Sequence, residues 1–222
     1  MNRINSLKEL ADAKVTVISG PYGSGKTNVA VNLAMDIAKS GEKCIIADLD
    51  IVNPYFRSAD NAEMLDGLGV KTLVPEFANT NVDIPALPRN YQFLFTGEGK
   101  SVADVGGDGD GAAVLGLSHD DYIEAGYKMY FVYNRYRYVT SEPEGALEVL
   151  EAIKRASGLE FSGIINNSNL GEETTAETVI NAIPTANEFA ELAGLPIVAT
   201  TVPDWVDVEN TVKIKDITKK LF

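Results

Sequence analysis

The sequence predicts an α/β fold built on a parallel sheet, and three observations carry that expectation. Gly20-Pro21-Tyr22-Gly23-Ser24-Gly25-Lys26-Thr27 has the spacing G-x-x-x-x-G-K-[ST], set between a β-branched run and a helical pattern. Apolar runs of strand length recur down the chain, separated by segments of helical periodicity. Several of these runs end in Asp or Asn, where open α/β sheets place their ligand-binding residues. At 222 residues the chain suits one domain, spanning 1–222, that can bury a sizeable core.

Composition narrows the function classes. With 45% hydrophobic and 23% charged residues the chain is ordinary globular protein. Its net charge of −13 speaks against general nucleic-acid binding, which needs a basic face. Cys44, the single cysteine, lies inside an apolar run; it reads as a small buried hydrophobe with no internal disulfide to form. No stretch approaches a membrane span, and the first six residues lack a signal-peptide core, so a soluble cytoplasmic protein is expected.

Taken in order, residues 1–14 form a polar lead-in with a short helix around Leu7 to Ala11. Val15-Thr16-Val17-Ile18-Ser19 reads as a buried strand, and Ala30, Leu33, Ala34, Ile37 and Ala38 as the helix that Gly41 stops. Between them, glycines let backbone N–H groups turn inward around phosphate oxygens, and the helix N-terminus adds its partial positive charge. Lys26 is placed to reach the β- and γ-phosphates and the Thr27 hydroxyl to ligate Mg²⁺, with Asn28 next in the helix completing the nucleotide-contacting stretch from Gly20.

The run 43–48 is a second buried strand ending in Asp48-Leu49-Asp50. At most one of these carboxylates continues the strand; one can hold a metal-bound water while the other orients an attacking water. The aromatic loop 51–57, with a turn at Asn53-Pro54, can fold over nucleotide or face a partner, and Arg57 can add charge near a γ-phosphate. Residues 58–69 read as helix and 72–74 as a short strand. Pro75, Pro85 and Pro88 make 75–100 the least regular part, with 91–95 open between helix and strand.

Ser101-Val102-Ala103-Asp104 has the form of a Walker B strand, whose carboxylate belongs to a Mg²⁺ shell. Gly107 can offer its N–H to a γ-phosphate, and the Asp-Gly run to Gly111 reads as a mobile loop. Its spacing does not match an EF-hand. His119, the only histidine, sits in a polar stretch and is expected at the surface. After a strand at 129–132, Tyr133, Arg135, Tyr136, Arg137 and Tyr138 read as a strand end or partner-facing edge. Ser141-x-x-Glu144 reads as a capping box opening a helix to about Ser157. A strand at 161–165 leads into Asn166-Asn167-Ser168-Asn169, a helix at 172–193 is expected to break at Pro184, and a last strand at 196–202 leads into Pro203-Asp204-Trp205. These two strand ends have the groups to read a purine edge. Val212, Ile214, Ile217 and Leu221, interspersed with Lys213, Lys215, Lys219 and Lys220, predict a basic C-terminal helix packed on the domain.

On the P-loop, Asp48-Leu49-Asp50, Asp104-Val105-Gly106-Gly107-Asp108, Asn166-Asn167-Ser168 and Val202-Pro203-Asp204, the chain resembles the MinD/ParA branch of P-loop ATPases (the SIMIBI class), relatives of the nitrogenase iron protein and the carbon monoxide dehydrogenase maturation ATPases. The resemblance implies a three-layer P-loop NTPase fold, a mostly parallel sheet of about seven strands with helices on both faces, and Mg-ATP at the carboxyl edge. It implies switches around Asp50 and from Asp104 to Asp108, adenine contacts from Asn167, Pro203 and Asp204, and a Mg²⁺ shell of Thr27, Asp48 and Asp104. Catalysis would then fall to Lys26, Asp50 and Asp104, with Asp50 positioning water. Pro21 stands where the branch carries a second lysine that reaches across a nucleotide-sandwiched dimer, which puts an ATP-driven homodimer in doubt. The cluster-binding cysteines of the iron protein are also missing.

The expectation is an ATP-binding protein, a Mg-dependent ATPase that switches for a protein partner. A dethiobiotin synthetase-like small-molecule kinase, with 75–100 binding the acceptor, and a nucleotide sensor with little hydrolysis are the alternatives. No Asn-Lys-x-Asp guanine motif is visible near Asn166.

Overall fold

The computed structural model describes residues 4–50, 62–73, 90–107 and 109–217. The expectations for 51–57, 75–89, Asp108 and 219–221 lie outside these residues. Among the described residues the strands β1 (Val15–Ser19), β2 (Cys44–Leu49), β3 (Val70–Leu73), β4 (Lys100–Val105), β5 (Tyr127–Tyr133), β6 (Gly163–Asn166), β7 (Ile197–Pro203) and β8 (Val212–Ile214) form one sheet. Its order is β3-β2-β4-β1-β5-β6-β7-β8, and every neighbouring pair is parallel. Strands covered on both faces need apolar side chains in both directions, and β1 and β2 are buried at every position.

Alternate residues divide the core into two layers. Val15, Val17, Ala103, Val105 and Phe131 pack beneath α3 (Phe93–Thr96), α4 (Gly109–Gly116), α5 (His119–Ala125), α6 (Pro143–Ser157) and α7 (Ala176–Ala193). Ile18, Ile46, Val102 and Val132 face α1 (Lys26–Lys39), α2 (Ala62–Gly67) and a 3₁₀ turn at Leu7–Leu10. The sheet therefore carries helices on both faces. Cys44 is a buried free thiol in the second layer, and desolvation raises its pKa to about 12.

Several local expectations are corrected. The C-terminal segment is a strand at 212–214 rather than a helix: Val212 and Ile214 are buried and Lys213 is exposed, the two-residue period of a pleat. It pairs with β7, so the strand expected to be last is followed by another and the sheet reaches eight strands. α7 runs through Pro184 without a break, because the proline sits on its exposed side while Ala182, Ala186 and Phe189 anchor the opposite side. The capping box expected at Ser141 does not form. α6 has Glu142 at its N-cap with no side-chain bond there, and Ser141 Oγ donates instead to Tyr138 O at 3.1 Å. The box belongs to α7, between Thr175 and Thr178. Residues 109–111 begin α4 rather than prolonging a glycine loop, and 93–96 resolve as helix.

Candidate functional site

A parallel sheet sends every strand-end loop to the same edge, so the loops after β1, β2, β4, β5, β6 and β7 meet there. The loop after β1 folds back on the Pro21 carbonyl, which accepts from Ser24 N at 3.2 Å and from the buried Lys26 Nζ at 3.4 Å. At Gly25 the backbone is left-handed (φ 89°), and a β-carbon would stand 2.3 Å from Asn167 Nδ2. Only glycine admits both the conformation and the approach. From there α1 begins, with Val29 N donating to Gly25 O at 3.0 Å.

The neighbouring strand ends fix this loop in place. Asn167 Nδ2 donates to Ser24 O at 2.8 Å, Thr201 Oγ1 donates to Asn167 Oδ1 at 2.7 Å, and Asn167 N donates to Tyr133 O at 2.8 Å. Arg137 Nε donates to Gly23 O at 2.7 Å. The turn that presents Arg137 is itself pinned: Thr140 Oγ1 donates to Asn134 O, Arg135 Nη1 to Asn181 O and Tyr136 OH to Thr178 O, each at 2.6 Å. The basic and aromatic run is the strand end expected of it, at the close of β5, and not an outer edge of the sheet. β5 lies between β1 and β6, and the run ties the P-loop to α7, with Tyr138 left outermost.

On the other side of β1, Asp48 and Asp104 are register partners on β2 and β4, both fully buried. Asp48 ends within its strand and Asp50 follows it, with Asp50 N donating to Asp48 Oδ1 at 3.1 Å. A β-carbon on Gly106 would lie 3.1 Å from Asp50 Oδ1, so the loops after β2 and β4 are in contact. Gly107 closes the gap to the P-loop, against Gly20 and Pro21.

These elements enclose a cavity of about 220 Å³. Tyr22, Gly23, Gly25, Lys26, Thr27, Asn28, Asp50, Asn167 and Pro203 line it, all of them expected from the sequence. Gly20, Pro21 and Ser24 form the loop behind, and Asp48, Asp104 and Gly107 stand in the layer beyond. Asp204 is exposed and Trp205 takes its place in the wall, its Nε1 donating to Thr174 O at 3.3 Å. The amide of Asn167, expected at a purine, is engaged with Ser24 and Thr201 while its side chain still borders the cavity.

No protein-family model matches the chain, and no curated protein matches its sequence. Solved structures do resemble it. FtsY from Mycoplasma mycoides superposes with a TM-score of 0.56 at 17% identity, over 92% of this chain and 64% of that one. The signal recognition particle 54 kDa protein from Aeropyrum pernix, in complex with GDP, gives 0.55 and 17% over 87% of this chain and 45% of its own. A nucleotide-binding protein from Archaeoglobus fulgidus, in complex with ADP, gives 0.51 and 18% over 94% and 89%. The chain has the α/β fold of P-loop NTPases. It spans less than two thirds of the first two proteins, and at these identities the likeness speaks for the fold alone.

Within that P-loop fold, sequence reading missed Arg137, Gly171, Ile214 and Asp216 as site residues, whereas Asn169, one of the strand-end amides it singled out, does line the cavity. The signal for Arg137 was present in its run of arginines and tyrosines, but only the sheet order brings that run beside Gly23. Ile214 and Asp216 enter because β8 is a strand. Among the described residues no group of three His, Cys, Asp or Glu side chains is placed to hold a metal ion. Thr27, Asp48 and Asp104 supply one hydroxyl and two buried carboxylates, hard oxygen donors of the kind Mg²⁺ takes alongside water and phosphate. That donor set fits Mg²⁺. No helix of the described residues is long and apolar enough to cross a membrane.

Proposed function

We propose that the chain binds ATP, hydrolyses it with Mg²⁺, and uses the change of nucleotide to switch its surface for a protein partner. The observation that supports this best is the cavity itself, where Lys26 and Thr27 of the P-loop share a wall with Asp50 while Gly107 touches the loop from behind. The narrower likeness to the MinD/ParA branch rests on the motifs quoted above.

In this reading the loop N–H groups and the N-terminus of α1 receive the phosphates. The Lys26 ammonium gives up its long bond to Pro21 O for the β- and γ-phosphate oxygens. Thr27, Asp48 and Asp104 would hold Mg²⁺, which when bound would neutralise charge on those oxygens. Asp50 accepts a hydrogen bond from the attacking water and so orients it, and Gly107 N–H donates to the terminal phosphate. Loss of that phosphate frees Gly107 to move against Gly20, which changes the loop after β4 and the surface a partner meets. Asn167, Pro203 and Trp205 border the base. Pro21 offers no lysine to a second copy, so hydrolysis in this reading needs none.

Phosphate release from Mg-ATP and Mg-GTP, compared between the wild type and Asp50→Asn, tests the hydrolytic part. The expected result is slow release from ATP that falls about 10²-fold in the variant while nucleotide affinity stays within about threefold. Binding without any release by the wild type would make the protein a sensor and overturn the ATPase reading.

A further inference from the structure

The segment after β8 is fastened to the P-loop helix by two asparagine side chains. Asn28 and Asn32 lie one turn apart on α1 and so face the same way. Asn32 Oδ1 accepts from Lys215 N at 2.9 Å, and Asn32 Nδ2 donates to Lys215 O, also at 2.9 Å. The carboxamide thus pairs with both backbone groups of one residue, as a neighbouring strand would. Asn28 Oδ1 accepts from Ile217 N at 3.1 Å, and Asn32 Nδ2 also donates to Asn28 O at 2.8 Å. Residues on either side of the clamped Lys215, Ile214 and Asp216, line the nucleotide cavity. Asn32 does not line it and is only 7% exposed.

A buried carboxamide in a helix needs partners, and here the partners belong to a segment far away in sequence. β8 is three residues long, at the end of the sheet beside β7. A short terminal strand of that kind opens more readily than the central strands. The asparagine clamp, together with Ile217 packed against the core on that face, extends its attachment to residue 217.

We propose that Asn32 is a positioning residue for the nucleotide: by holding Lys215 it fixes 214–216 as the outer wall of the cavity. Docking of this segment and binding of nucleotide then strengthen each other. A nucleotide that touches both the P-loop and Ile214 or Asp216 meets its full site only when the segment is docked. Linkage requires the effect to be reciprocal, so nucleotide holds the segment down by the factor with which docking raises affinity. This inference rests on the nucleotide-binding reading of the cavity.

The test uses Asn32→Ala and Lys215→Pro. The second removes the N–H from the exposed segment and leaves α1 untouched, so it reports even if the first variant folds poorly. Each is titrated with Mg-ATP, and hydrogen exchange of the 212–217 peptide is followed with and without nucleotide. ATP is expected to slow exchange of that peptide about tenfold in the wild type. Both variants are expected to exchange there faster and to bind ATP about tenfold more weakly. A purely structural Asn32 would change exchange without the reciprocal protection by ATP. Wild-type ATP binding that both variants retain, or wild-type exchange that ATP leaves unchanged, overturns the coupling alone. A wild type that binds no nucleotide overturns the reading of the cavity, and the coupling with it.

Discussion

Gly107 lies so close to Gly20 that a β-carbon on it would stand 1.8 Å from the Gly20 carbonyl oxygen and 2.9 Å from the Pro21 carbonyl carbon. The loop after β4 and the P-loop therefore meet backbone to backbone, with no flexible side chain between them to absorb a displacement. Gly107→Ala is expected to push the two loops apart, costing about 1–3 kcal/mol of stability and at least about tenfold in nucleotide affinity. Gly67→Ala, at the end of α2 where a β-carbon meets nothing within 4 Å, is the control, expected within about 1 kcal/mol of wild type. Thermal denaturation and nucleotide titration of both variants check this.

Arg137 reaches the P-loop from an exposed turn, so its removal separates affinity from stability. Arg137→Ala is expected to leave stability within about 0.5 kcal/mol while weakening nucleotide binding about three- to tenfold. Arg137→Lys is not expected to restore binding, because an ammonium on a flexible stem cannot place a donor where Nε sits. Parallel titrations and melts of the two variants distinguish these effects.

Desolvation lifts the Cys44 thiol from an ordinary 9.0 to about 12, and burial lifts the phenols of Tyr130 and Tyr133 from 10.0 to about 12. A folded pKa above the unfolded one means stability that is complete below the unfolded value and lost as pH rises toward the folded value. Alkaline destabilisation should begin near pH 9 with Cys44, at about 1.4 kcal/mol per pH unit, and steepen above pH 10 as the tyrosines join. Urea midpoints from pH 8 to 11 for wild type and Cys44→Ala provide the comparison. The variant is expected to show the shallower slope between pH 9 and 10.

Pro184 interrupts the hydrogen bonding of α7 from its exposed side. Pro184→Ala supplies the missing N–H and removes the ring's clash with the preceding turn, so a gain of about 1–3 kcal/mol is expected in the denaturant midpoint. The carbonyls of Thr178 and Asn181 already serve Tyr136 and Arg135, which ties this helix to the turn that carries Arg137.

The sequence made the centre of the fold legible because its signals there are local. The strand before Gly20, the helix from Lys26, and the acidic ends of β2 and β4 each follow from the period and chemistry of a few adjacent residues. The periphery failed where two periods compete or where distant pairing decides. Val212 and Ile214 fit a strand by their own spacing, and only the more distant Ile217 and Leu221 suggested a helix. Pairing with Thr201–Pro203 on β7 settles it, and no local pattern carries that information. Arg137 was visible as a charge but not as a neighbour of Gly23, since the two are brought together by the pairing of β1 with β5. Ser141 has capping chemistry, but the turn before α6 ends one residue later, so Glu142 takes the N-cap and the Ser141 hydroxyl donates to Tyr138 O.

The central claim is that the cavity over Lys26 is a nucleotide site. Equilibrium titration of wild type and Lys26→Ala with Mg-ATP and Mg-GTP tests it most directly. The account requires saturable binding by the wild type, tighter for ATP than for GTP, that falls about 10²-fold or more when the Lys26 ammonium is removed. Binding that Lys26→Ala leaves unchanged, or no binding of either nucleotide, would contradict it.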